Sequence, residues 1–164
     1  AQHPLFPIAR TVANINLDGG NAWGRTRDIM QSNYGLSTLD ETLSDAARMQ
    51  GRSFLKESLG DGGYYFGSDQ IEFAKVGIPS INLQHGDKFI TPLKDEAANF
   101  FRDYTAKYYH QVSDEYHDWW DGAAMVQEAE LALAIGVRLA SSGDWPRYKD
   151  SDEFAGPDKR RFAK

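Results

Sequence analysis

Residues 11–20 read TVANINLDGG, and the fold turns on how this stretch is read. Val12, Ile15 and Leu17 form a short apolar run that an acid and two glycines bring to a stop. That is the pattern of a buried strand running into a tight turn, with Asp18 at its C-terminal end. Outward from it, a second strand is predicted around DIMQSNYG (28–35). STLDETLSDAARMQG (37–51) then places Leu39, Leu43, Ala46, Ala47 and Met49 on one helical face, with Ser37 as N-cap and Gly51 as C-terminal stop. The Gly-rich, aromatic LGDGGYYFGSDQ (59–70) reads as a loop. It leads into a short helix over DQIEFAKVG (69–77), and GIPSINLQH (77–85) follows as a second buried strand.

Residues 91–109 are expected to be partly helical, and residues 122–142 form a long helix with a broad face of Ala, Val, Leu and Ile. The remainder after Trp145 reads as surface wrapping, so the chain divides into 1–145 and a surface tail at 146–164. Strands alternating with helices give an α/β fold, a hydrolase-like (or phosphorylase-like) mixed, largely parallel sheet flanked by helices. In such sheets ligands gather at the C-terminal strand edges, where Asp18 and His85 fall. The strand carrying Asp18 is expected to be central.

Composition narrows the chemistry. The chain has 164 residues, 41% of them hydrophobic and 26% charged, which is ordinary for one globular domain. Its net charge is −6, and the basic residues are scattered except in the terminal PDKRRFAK (157–164), so a nucleic-acid surface is not expected. No apolar run reaches the roughly 20 residues of a bilayer span. AQHPLFPIAR (1–10) has neither the basic segment nor the apolar core of a signal peptide, leaving a cytosolic start or a leader outside this stretch as the two readings. With no cysteine, any metal must be held by His, Asp and Glu, a set that suits zinc.

Asp18 and His110 are the candidates for chemistry. A carboxylate at the end of a buried strand costs several kcal/mol unless a cation or hydrogen bonds stabilise it. His110, in YTAKYYHQVSDE (104–115), taken alone reads as a satisfied buried imidazole.

The reading changes when three segments are taken together: ANINLDG (13–19), FGSDQIEFAKVGIPSINL (66–83) and YYHQVSDEY (108–116), in that order. Over roughly residues 10–145 they resemble the second half of the dizinc exopeptidase family, which includes bacterial aminopeptidases, glutamate carboxypeptidases and glutaminyl cyclases. The resemblance implies that Asp18 ligates one zinc ion and His110 the other. Ser113 and Asp114 then hold the loop or orient the imidazole, and His117, outside the motif position, is expected on the surface. It also implies two zinc ions per complete site, a bridging carboxylate and water, and a Glu as general base.

The remaining ligands belong to an upstream H-x-D segment and a consecutive Glu pair. On this reading the chain carries neither the Glu pair nor the H-x-D of the family pattern. The chain therefore resembles a C-terminal half-domain with no catalytic residue of its own. One protein ligand per ion falls short of the three usual at catalytic zinc. FGSDQIEF (66–73) resembles the family's substrate-side loop Y-R-S-D-H-x-P-F, with Gly67, Gln70 and Glu72 in place of Arg, His and Pro.

Substrate contacts are expected from Asp69, Phe66 and Tyr109, with helix N-capping as the plain alternative for Asp69. Tyr64, Tyr65, Phe66, Phe89, Tyr108 and Tyr109 are expected to form an apolar specificity pocket or part of the core. The implied activity is zinc-dependent removal of N-terminal residues from peptides, in a secreted or periplasmic setting. A carboxypeptidase or cyclase is the neighbouring reading, and a non-catalytic binding module is the alternative from another class. The implied partner is the missing N-terminal half, or a second copy, across an exposed sheet edge.

Overall fold

A computed structural model describes residues 3–32, 34–55 and 65–163. Its sheet has the order β1-β4-β2-β3, built from β1 (Asn14–Leu17), β2 (Asp28–Gln31), β3 (Ser53–Phe54) and β4 (Ser80–His85). β1 runs parallel to β4, Asn14 opposite Ser80 and Leu17 opposite Leu83, and β2 runs parallel to β3. The β2–β4 pairing is antiparallel, so the sheet is mixed and mostly parallel, as the sequence predicts. β1 is not central. Among the described residues it pairs only with β4, and it is half-buried, with Leu17 45% exposed, because a strand with one neighbour is covered on one side only.

The helices form where the apolar periodicity predicts. α1 (Leu39–Met49) turns Leu39, Leu43, Ala46 and Ala47 inward. Its end is a glycine stop: Gly51 has φ 71°, its N–H bonds to Arg48 O at 2.9 Å, and Arg52 N–H bonds to Ala47 O at 2.9 Å. Those two bonds satisfy carbonyls that the last turn would otherwise leave open. At the other end Thr38, not Ser37, occupies the cap position; the Ser37 hydroxyl accepts from Leu39 N–H at 3.3 Å.

α2 (Gln70–Ala74) precedes β4, and α3 (Asp95–Lys107) follows it. α4 (Gly122–Ser141) starts at Asp121, whose carboxylate accepts from Ala123 N–H at 2.9 Å. Leu131 and Ile135 of α4 close the main core with Ile29, Leu39, Leu43, Ile81 and Leu83. Leu131→Ala is therefore expected to cost about 2–5 kcal/mol. A shifted urea midpoint with an unchanged slope would show it; a loss below about 1 kcal/mol would mean that the core closes without α4. Among the described residues no helix is long and apolar enough to cross a membrane.

The segment after Trp145 is more than a surface tail. Tyr148, Phe154 and Ala155 bury against Tyr65, Ile71 and Ala74 in a second core cluster. α5 (Ala155–Arg161) ends in Arg161, whose guanidinium donates to Gly77 O at 2.5 Å and Thr11 O at 2.9 Å. The charged run 157–161 looks like solvated surface in one dimension, yet two of its charges are buried: Asp158 accepts from Arg147 Nε at 2.8 Å and from Tyr148 N–H at 3.0 Å.

Candidate active site

Because β1 and β4 are parallel, their C-terminal ends open on the same edge of the sheet. A cavity of about 430 Å³ lies there, and both Asp18 and His110 line it. Chain positions far apart in sequence thus line one cavity at the edge where such sheets bind ligands.

Asp18 is held from the loop before α2. The Ser68 hydroxyl donates to Asp18 Oδ2 at 2.5 Å, and Asn16 Nδ2 donates to Ser68 Oγ and to Gln70 Oε1, each at 2.9 Å. Gln70 Nε2 in turn donates to Tyr65 O at 2.5 Å. Gln70 is fully buried, so the glutamine that stands where the family loop carries His is part of this framework and does not line the cavity.

His110 sits in a tight turn after α3. Its φ of 60° is the only positive value at a non-glycine position among the described residues. Gln111 N–H bonds to Tyr108 O at 2.8 Å and Asp114 N–H to Gln111 O at 3.0 Å. The imidazole stacks on Tyr109, centroids 3.8 Å apart at 21°. Asp114 accepts from Tyr104 OH at 2.8 Å, tying the turn back to α3, and burial together with this carboxylate pushes the Tyr104 hydroxyl up to about 12. Ser113 is exposed and makes no side-chain hydrogen bond among the described residues.

Of the expected substrate contacts, Tyr109 lines the cavity, whereas Phe66 and Asp69 are exposed and outside its lining. Asp69 takes the N-cap position of α2 without a side-chain cap bond. The expected aromatic pocket is redistributed. Tyr65 is core, Tyr108 stacks on Phe100 at 4.0 Å, and Phe89 meets Phe101 edge-on at 5.4 Å; Tyr64 lies outside the described residues. The walls are instead Trp23, Phe101 and Tyr104. His117 is not a surface residue: it stacks on Trp119 at 5.0 Å and meets Phe100 at 4.8 Å, clear of the cavity.

Two further residues line the cavity: His85, which the sequence places at the strand edge but not among the metal or substrate candidates, and Glu128, which the sequence does not single out. His85, at the end of β4, packs against Trp23 at 5.0 Å, and its Nδ1 lies 2.8 Å from Gly86 O. A carbonyl only accepts, so Nδ1 carries the proton. Burial lowers the His85 pKa and favours the neutral ring. The expectation that the chain has no H-x-D is wrong: His85-Gly86-Asp87 is one, downstream of Asp18 instead of upstream. Glu128 on α4 is buried and accepts from Asn21 N–H at 3.0 Å; burial raises its pKa against the opposing pull of that N–H and of Arg52. An isolated Glu in a helical pattern gives no such signal.

Asp and His are donors that suit zinc. Among the described residues, however, no three His, Cys, Asp or Glu side chains converge as a metal-holding group. Asp18 and His110 fit as contributors to a metal centre and do not complete one.

The sequence model described as Peptidase family M28 matches residues 1–135. No curated protein and no solved structure matches the chain.

Proposed function

This chain belongs to peptidase family M28, a family of zinc-dependent peptidases, and on that footing we propose that it forms one part of an aminopeptidase active site. The observation that carries the reading is the convergence of Asp18 and His110 on one cavity at the C-terminal sheet edge. Each gives one donor to one of two zinc ions, and the remaining donors and the general-base Glu come from a segment bearing an H-x-D and a Glu pair. Zinc, when bound, acidifies a water and polarises the scissile carbonyl.

This chain's own residues orient and enclose. Ser68 and Asn16 fix the Asp18 carboxylate, and the Tyr104–Asp114 bond fixes the turn that presents His110. Trp23, Phe101 and Tyr109 bound the space for the residue to be removed. No Lys or Arg lines the cavity among the described residues, and Gly67 stands where the family loop carries Arg. A substrate carboxylate finds no cation there, which favours an aminopeptidase over a carboxypeptidase. The lack of a three-donor group among the described residues favours the second reading, a binding module without catalysis.

Complementation separates the two. The chain is mixed with zinc and a polypeptide carrying the H-x-D and Glu-pair segment, and leucyl-anilide cleavage is followed. Turnover above that of either part alone is expected; its absence in a folded, zinc-bound complex favours the binding module. The side of β1 that has no strand partner among the described residues is the proposed seam for that polypeptide or for a second copy. Sedimentation velocity is expected to show association, and a lone monomer with cooperative unfolding contradicts the seam.

Ser68→Ala is expected to weaken zinc retention by about 10–100-fold, because the hydroxyl that fixes Asp18 is lost. Competition with a chelator reads this directly. Unchanged affinity would mean that Asp18 is fixed by something else.

A further inference from the structure

Ser68 fixes the Asp18 carboxylate from the side of α2. The main chain that carries it is less constrained. Gly19 (φ 81°) and Gly20 (φ 53°) follow directly, and around a Cβ at either position the nearest atom is Met125 Cγ, 4.0 Å from Gly20. Two glycines in succession give a turn little stiffness of its own. The donor therefore needs a fixed point beyond them, and the fully buried Asn21 is the first residue to supply one.

Asn21 is tied in two directions. Its N–H donates to Glu128 Oε2 on α4 at 3.0 Å. Its side chain organises the turn that follows: Oδ1 accepts from Trp23 N–H at 3.0 Å and from Gly24 N–H at 3.4 Å, and Nδ2 donates to Gly24 O at 2.7 Å. One anchor thus stands between Asp18 and Trp23, and both of these line the cavity. Further bonds from α4 and its cap meet the loop beyond that anchor. Asp121 N–H donates to Ala22 O at 2.8 Å, and the Gln127 amide accepts from Thr26 N–H at 3.1 Å and donates to Thr26 O at 3.2 Å.

The anchor is a carboxylate only 5% exposed, where a glutamine would accept the same N–H at lower burial cost. The carboxylate makes the stronger bond. Arg52 helps to keep it ionised: buried and bonded to Thr26 Oγ1 at 2.7 Å and Asp28 O at 2.6 Å, it attracts Glu128 without a direct hydrogen bond to it.

We propose that Glu128 is a positioning residue: it fixes the N–H of Asn21, and through Asn21 it sets the Asp18 donor on one side and the Trp23 wall on the other. The inference rests on the reading of Asp18 as a zinc donor in a peptidase site. The competing role is a charge partner for Arg52, and two substitutions separate the roles. Glu128→Gln keeps the reach and an acceptor oxygen and removes the charge. Glu128→Asp keeps the charge and withdraws the carboxylate by one C–C bond, about 1.5 Å.

In the complemented assembly, zinc affinity by chelator competition is expected to fall about 10–100-fold in Glu128→Asp and to stay within about fivefold of the parent in Glu128→Gln. Amide hydrogen exchange of the zinc-free chain, together with any partner it purifies with, is the metal-free measurement. Exchange at Asn21 is expected to be about tenfold or more faster in Glu128→Asp and near parental in Glu128→Gln.

Parental zinc affinity in Glu128→Asp overturns the proposal even where Asn21 exchanges faster, because the anchor then does not reach Asp18. A loss in Glu128→Gln as deep as that in Glu128→Asp makes charge balance with Arg52 the role and overturns it too, as does a parent assembly that retains no zinc. If Glu128→Asp fails to fold by circular dichroism, Glu128→Gln decides: parental Asn21 protection and zinc affinity uphold the proposal, and a tenfold loss of either overturns it. Failure of the peptidase reading has a different signature: zinc bound by the parent and lost in Glu128→Asp as expected, with no leucyl-anilide turnover in the parent assembly.

Discussion

Replacing His110 or Asp18 by alanine in the complemented, zinc-bound assembly is expected to lower leucyl-anilide turnover by about 100-fold or more. Substitutions that only touch a ligand's supporting partner already cost 10–100-fold, and these two remove the donor itself, misplacing the ion that polarises the carbonyl. His117→Ala supplies the contrast. That ring is packed between Phe100 and Trp119, away from the cavity, so its loss is expected to lower stability and leave turnover near the parent value. Parental turnover in His110→Ala, or a His117→Ala defect as deep as that of His110→Ala, would remove His110 from the site.

Gly77→Ala is expected to cost as much stability as truncating the core. Gly77 has φ 83°, and a Cβ there would sit 2.3 Å from Asp158 N and 2.4 Å from Pro157 C, backbone atoms that cannot swing aside. The left-handed conformation costs a residue with a Cβ about 1–2 kcal/mol, and overpacking adds about 1–3 kcal/mol. The sum, about 2–5 kcal/mol, is a large share of the 5–15 kcal/mol that holds a typical domain together. The same position receives the Arg161 guanidinium at its carbonyl, so separation here also loosens the C-terminal segment from the strand that carries His85. Gly143→Ala, with open space around the new methyl group, is expected to change stability by less than about 0.5 kcal/mol. Denaturant midpoints of the two variants compare them, and equal midpoints would mean that the segment does not pack as described.

Much of this architecture is legible in one dimension because it is local. The apolar runs at 14–17 and 80–85, the α1 face with its glycine stop and the long apolar face of α4 all depend on residues within a few turns of one another. Pairing is not local. That β2 runs antiparallel to β4, and that β1 lies at the edge, depend on which strands meet across gaps of dozens of residues. No alternation of side chains within a strand encodes that.

The site divides in the same way. Asp18 and His110 are visible through ordered motifs, and both line the cavity. Gln70 looks like a lost substrate contact until its burial shows it bonded to Asn16 and Tyr65 O. Tyr65 and Tyr108 look like pocket rings, yet Tyr65 packs against Phe154 and hydrogen-bonds through its hydroxyl to Tyr148, and Tyr108 stacks on Phe100. His85 is legible as a strand-edge residue but not as a candidate for chemistry, because its H-x-D triplet stands downstream of Asp18; the parallel pairing of β1 with β4 sets it on the edge that Asp18 occupies. For Asp158 and Arg161, a charged run conceals buried partners, since sequence spacing alone does not show which side of a short helix faces the core.

Anomalous diffraction at the zinc edge from crystals of the chain with its complementing segment reads out directly whether Asp18 and His110 hold metal. Two zinc peaks are expected in the cavity, one at bonding distance, about 2 Å, from the Asp18 carboxylate and the other from the His110 imidazole. Zinc bound elsewhere, with Asp18 and His110 both free of metal in a folded, active assembly, would contradict it.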